Sequence, residues 1–160
     1  MSTEIDNIKA KNETYVLAGD LNCHLGSYIP GNNPKVSTAG KLLIEFLEDE
    51  ENILVNSTGK VHNGPFTRYE KSHPDDASKK SAIDLVLISS SLDKYVESMT
   101  RDKNLDWTPS KVSNGVLKYH DHYTIKLCFN NIPIKKDSRK VIPCRKQTIF
   151  NTKKENGCIL

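Results

Sequence analysis

The chain has 160 residues, 36% of them hydrophobic, 27% charged and 7% aromatic, proportions that fit one ordinary soluble domain. Its longest apolar run, Ile83 to Ile88, is interrupted by Asp84 and falls far short of the roughly 20 residues of a bilayer-crossing helix. The net charge of +3 is uneven: Asn131 to Leu160 hold eight basic residues (Lys135, Lys136, Arg139, Lys140, Arg145, Lys146, Lys153, Lys154) against Asp137 and Glu155, a tail of +6 behind a body of -3.

Such a tail reads equally as a polyanion-binding segment or as a solvated one that keeps the chain soluble. Met1 to Ala10 carry Glu4, Asp6 and Lys9 and lack the apolar stretch of a secretory signal. Cys23, Cys128, Cys144 and Cys158 include no Cys-x-x-Cys pair, which argues against a zinc ribbon or a dense disulfide framework. A reducing compartment follows as the expectation, with the protein intracellular, in nucleus or cytoplasm. Without a signal peptide, the glycosylation sequons at Asn12 and Asn56 read as accidental, and Cys158, third from the end, makes no prenylation box.

Residues 1–13 are polar and without hydrophobic period, so they read as a mobile lead-in. Tyr15-Val16-Leu17-Ala18 is a short buried strand stopped by Gly19-Asp20. Ser27 to Ser37, with Gly31, two prolines and two asparagines, reads as a loop. Ser37-Thr38 caps a helix through Leu42, Leu43, Phe46 and Leu47, whose apolar stripe faces a core while Glu45 and Glu48 to Glu51 cover the other side. Ile53-Leu54-Val55 is a second strand, and Phe66-Thr67-Arg68-Tyr69, after the Gly64-Pro65 break, a third. A surface loop over Glu70 to Lys80, including His73-Pro74-Asp75-Asp76, leads into Ile83–Ile88, the strongest strand signal in the chain. Another strand is expected over Tyr95 to Met99, then an irregular polar segment around Trp107 and Pro109. An alternating strand over Tyr123 to Phe129 comes last. Short strands with one good helix indicate a layered α/β domain.

Three polar clusters sit at the ends of these strands. In Gly19-Asp20-Leu21-Asn22 the residues are either plain turn formers or a carboxylate and an amide aimed into one pocket, able to activate water and to bind a developing oxyanion. In Ser81-Ala82-Ile83-Asp84 a carboxylate enters a very apolar strand, where an unpaired charge is costly. A structural ion pair satisfies it, and so does a histidine whose tautomer it fixes. In His120-Asp121-His122 the two histidines share one face of an extended backbone and Asp121 takes the other. A His-x-His zinc site lacks further ligands, which leaves a catalytic histidine beside a carboxylate.

In order and placement these clusters resemble the second half of the endonuclease/exonuclease/phosphatase superfamily, whose motifs run Gly-Asp-Phe/Leu-Asn, a strand with Ile/Leu-Asp, then Ser-Asp-His. Gly64-Pro65-Phe66-Thr67 and Ser81-Ala82-Ile83-Asp84-Leu85-Val86-Leu87 look like the apurinic-type endonuclease domains of non-LTR retrotransposons, encoded upstream of a reverse transcriptase. The resemblance covers about residues 14–130. It implies part of a four-layer α/β sandwich of the DNase I-like kind, truncated on its N-terminal side, with residues 131–160 a basic, disordered tail. It also implies a hydrolase that attacks DNA phosphodiesters with activated water and magnesium (Mg2+) or manganese (Mn2+), alongside a reverse transcriptase domain in a parent polyprotein.

Position by position, the resemblance implies that Asp20 orients or deprotonates the water and that Asn22 stabilises the transition state. Asp84 would hold His122, His122 would contact the scissile phosphate, and Asp121 would help position the metal; a carboxylate-rich set suits a hard divalent cation. His24 and the loop Ser27–Ser37 would lie near the DNA. His120 stands where the family has Ser, and Leu21 where Phe is commoner. The family's first-half Asn/Asp and metal-binding Glu have no counterpart here, since Glu4 and Glu13 lie in the polar lead-in, so the isolated chain is expected to hydrolyse weakly or not at all. Two alternatives stand beside this reading: a non-catalytic nucleic-acid-binding remnant that uses the basic tail, and a phosphatase of the same superfamily.

Overall fold

A computed structural model of the chain describes residues 2–48, 51–72, 76–104, 110–113, 116–119, 121–132 and 158–159. In chain order the elements are α1 (Ser2–Ala10), β1 (Val16–Asp20), α2 (Thr38–Leu47), β2 (Asn52–Leu54), β3 (Val61–His62), β4 (Arg68–Tyr69) and β5 (Lys80–Ser81). There follow β6 (Asp84–Ser89), α3 (Ser90–Asp93), β7 (Val96–Arg101), β8 (Ser110–Ser113), β9 (Val116–Tyr119), β10 (Ile125–Phe129) and β11 (Cys158–Ile159). The fold is mixed α/β, with small sheets and few helices.

β6 organises the molecule. It is the middle strand of an antiparallel sheet ordered β1-β6-β2, and its two faces feed separate cores because side chains alternate along a strand. Leu85 and Leu87 join Ile5, Tyr15, Leu43, Leu47 and Leu54 in one cluster. Val86 and Ile88 join Val55, Val96, Met99, Leu127 and Phe129 in the other. A strand buried on both faces is apolar along its middle, here Leu85 to Ile88, which explains the continuous run that singles it out in the sequence. The second cluster lies between this sheet and another, ordered β11-β10-β7-β3, while α1 and α2 supply the first. The layers therefore run helices, sheet, sheet. β4–β5 and β8–β9 are separate two-stranded pairs, and no described helix is long and apolar enough to cross a membrane.

Residues 1–13, expected to be a polar lead-in, instead contain α1, with Ile5 buried and Ile8 packed against the first core. Two apolar residues three apart make a helix face too narrow to stand out among polar neighbours. In α2 the Ser37 hydroxyl accepts from the Gly40 amide at 3.0 Å, as the N-cap reading requires. The apolar stripe is narrower than expected: Leu43 and Leu47 are buried, but Leu42 is 64% exposed, because a residue beside the stripe turns about 100° away from it. The expected strand Ile53-Leu54-Val55 ends at Leu54, where a 3-10 turn over Val55–Ser57 begins. Of Phe66 to Tyr69, only Arg68–Tyr69 is strand.

β3, β8 and β9 have no counterpart in the sequence reading. Residues 73–75, 105–109 and 120 lie outside the described residues, and with them His73, Trp107, Pro109 and His120. So does 133–157, the greater part of the expected disordered tail, although β11 pairs antiparallel with β10 at the chain's far end.

Candidate functional site

β1 and β6 pair antiparallel with Asp20 directly opposite Asp84. Residues directly opposite point to the same face, and two like charges there destabilise a sheet unless something offsets them. The offset is His122. Its Nδ1 lies 2.9 Å from Asp84 Oδ2 and 3.1 Å from Oδ1, and one ligating atom each from Asp20, Asp84 and His122 lies within 4.8 Å of the others.

The backbone fixes this meeting point from three sides. Asp84 begins β6, and its amide and that of Ile83 both donate to the Thr67 hydroxyl, at 2.9 and 3.0 Å. Its carbonyl accepts from Asn56 Nδ2 at 3.1 Å, while Asn56 Oδ1 accepts from the Val86 amide at 2.8 Å. Thr67 and Asn56 are both almost wholly buried, where a polar side chain must be hydrogen-bonded. Each meets that requirement with the backbone around Asp84. His122 arrives on a segment strapped along β4: Arg68 and His122 form a bridge, the Tyr69 amide donates to the Asp121 carbonyl at 2.9 Å, and the Tyr123 amide donates to the Thr67 carbonyl at 2.7 Å. Behind the strap the buried Arg101 donates to the Phe66 carbonyl at 3.0 Å and stacks on Tyr123, 4.6 Å from its ring centroid.

Asp20 closes β1, and its Oδ1 accepts from the Asn22 amide at 3.0 Å. Asn22 takes the left-handed conformation (φ 50°), which asparagine tolerates, and so turns the chain away from the strand. The Asn22 side chain is exposed at this turn. The Asp121 carboxylate lies outside the three-residue cluster and meets Arg68 Nε at 3.5 Å, near the surface. His24 and Ser37 meet at the start of α2, where the His24 amide donates to the Ser37 hydroxyl. Thus Asp20, Asp84 and His122 are brought together, Asn22 and Asp121 flank them, and His120 lies outside the described residues.

The charges set the protonation of His122. Its hydrogen bond to Asp84 raises its pKa above the usual histidine value; burial opposes this, and the charges of Asp84, Asp20 and Asp121 add to the rise. Burial pushes the Asp121 carboxyl up, but its backbone hydrogen bond and the charges of His122, Arg68 and Lys71 outweigh that and hold it below the usual range. With Nδ1 committed to Asp84, the second ring nitrogen, Nε2, is left to meet a ligand, as in any histidine whose tautomer is fixed by a carboxylate.

Thr67 and Asn56 had no assigned role in the sequence reading. Thr67 stands at the end of Gly64-Pro65-Phe66-Thr67, and Asn56 heads a glycosylation sequon. The one signal available was a polar residue beside apolar runs, which is common to many positions. Beside Asn56 a cleft of about 150 Å³ is lined by Pro30, Thr58, Val61, Gly64 and Pro65.

No family model, curated protein or solved structure matches the chain.

Proposed function

We propose that the chain carries the hydrolytic half of a metal-dependent endonuclease of retrotransposon origin, acting on DNA phosphodiesters. The observation that carries this reading is the Asp84–His122 pair, at 2.9 Å, with Asp20 opposite it across the β1–β6 ladder. A carboxylate-fixed imidazole beside an exposed carboxylate is an inventory for general acid–base chemistry on a phosphoryl centre. The helix, sheet, sheet order supports the reading as the part of a four-layer DNase I-like sandwich that its C-terminal half supplies.

In this reading Asp20 accepts the proton of the attacking water and Asn22 offers its amide to the developing charge. His122, held by Asp84, hydrogen-bonds a phosphate oxygen through Nε2. Asp121, whose carboxylate flanks the cluster beside Arg68, and Asp20, the exposed member of the cluster, would be the oxygen donors for magnesium or manganese, with water completing the shell. When bound, the ion supplies Lewis-acid stabilisation of the phosphate charge. Two carboxylates hold it weakly, so the isolated chain is a slow enzyme.

The test is nicking of supercoiled plasmid by excess protein. Slow nicking that requires magnesium and stops on chelation supports the proposal, and no nicking at any protein excess overturns it. The +6 charge of residues 131–160 favours a second reading, a non-catalytic nucleic-acid-binding remnant. DNA binding without cleavage, weakening steeply with salt and lost on removing residues 131–160, marks that outcome.

A further inference from the structure

We infer that Cys128 and Cys158 are the two halves of a reversible cross-strand disulfide that fastens the C-terminal end of the chain to β10. The argument rests on register. In the antiparallel pairing of β10 with β11, Cys128 and Cys158 are direct Cα partners, next to the pair Leu127 and Ile159. Directly opposed residues in an antiparallel ladder have Cα atoms about 4.5 or about 5.5 Å apart, depending on the pair type. Both values fall within the roughly 4.4–6.8 Å that a disulfide spans. The bond therefore forms without moving either strand.

The other two cysteines are placed differently. Cys23 is buried in the cluster beneath α2, on the opposite side of the β1-β6-β2 sheet from β10. Its Sγ lies 3.1 Å from the Leu21 carbonyl, and burial, then the nearby Asp20 charge, push its thiol pKa up, which keeps it in the unreactive protonated form. Cys144 lies outside the described residues. Leu127 and Phe129 face the core between the sheets, so Cys128 lies on the sheet's other face, where it is also buried.

β11 has only two residues, and a backbone pairing so short is marginal by itself. The bond closes the chain between residues 128 and 158 into a covalent loop whose sequence holds eight basic residues against two acids, and its reduction opens that loop. Disulfides in reducing compartments are typically transient and regulatory, and a pair that joins the edge strand β11 to its neighbour β10 suits that use. The co-reactant is a low-molecular-weight disulfide such as oxidised glutathione. One cysteine thiolate attacks it and expels one glutathione thiolate. The second cysteine thiolate then attacks the mixed disulfide and expels the other. The protein loses two electrons and two protons, and the glutathione disulfide is reduced to two thiols.

The experiment uses the full chain, oxidised with glutathione disulfide, blocked with an alkylating reagent and weighed intact. The reduced chain carries four cysteines and takes four alkyl groups; after oxidation it takes two, and trypsin releases the peptide Leu127–Lys135 joined to Glu155–Leu160. Cys158→Ser abolishes that joined peptide, and oxidation in urea shifts pairing toward Cys144 and Cys158, the closer pair in sequence. The inference is overturned if Cys128 and Cys158 both remain alkylatable after oxidation. It is equally overturned if Cys158 is joined to Cys144, Cys23 or another chain, or if the pairing ratio is the same with and without urea.

Discussion

Both carboxylate oxygens of Asp84 lie within hydrogen-bonding distance of Nδ1 of His122, at 2.9 and 3.1 Å. This contact joins two segments 38 residues apart in sequence at the one point where β1, β6 and the strap along β4 meet. It gives a half-buried histidine a fixed orientation and an altered affinity for protons.

The first prediction concerns that affinity. Because the His122 pKa is raised in the folded chain, the stability gained from the ionised pair is fully present below the ordinary histidine value, about 6.5. It is lost as pH climbs through the raised folded value. Asp84→Asn removes the largest cause of the rise. An NMR titration of the His122 ring should show its midpoint falling in the variant, and denaturant unfolding should show wild type exceeding the variant by more at about pH 6 than at about pH 9. A midpoint unchanged by Asp84→Asn would contradict the assignment.

Thr67→Val tests the support beneath Asp84. Valine keeps the shape but leaves two buried amides, of Ile83 and Asp84, without their acceptor. Each unsatisfied group costs about 1–3 kcal/mol, so urea unfolding should show a loss in or above that range, while Thr67→Ser should recover most of it. A loss in Thr67→Ser with none in Thr67→Val would mean that the methyl group, not the hydroxyl, matters.

Gly40→Ala sets helix propensity against packing. Inside an exposed helix this change gains about 1 kcal/mol. Here a Cβ at residue 40 would stand 2.0 Å from the His24 carbonyl oxygen, so α2 must move away from the segment that follows Asn22. The variant should have a lower melting temperature than wild type, and a higher one would show that α2 does not approach that closely.

How much of this was legible in the sequence follows from how local each cause is. β6 stood out because both its faces are buried, and α2 because Ser37 and its apolar residues signal a cap and a period within a few positions. α1 was hidden, since only Ile5 and Ile8 mark its buried side. β3, β4 and β5 have two residues each, too few for any period, and exist because neighbouring segments hold them. In the site, Asp20, Asp84 and His122 were readable as polar residues at the ends of apolar strands. Asn56 and Thr67 were not, because their partners are backbone groups 16 to 30 residues away, a relation that no local pattern encodes.

The most direct test of the hydrolytic reading is the single-turnover nicking rate of wild type, Asp20→Ala, His122→Ala and Asp84→Asn in magnesium. General acid–base groups contribute typically about 10²–10⁴-fold, so the two alanine variants should fall by that range while remaining folded, and Asp84→Asn should fall with them because His122 loses its tautomer and orientation. Wild-type nicking that survives His122→Ala and Asp20→Ala unchanged would contradict the account.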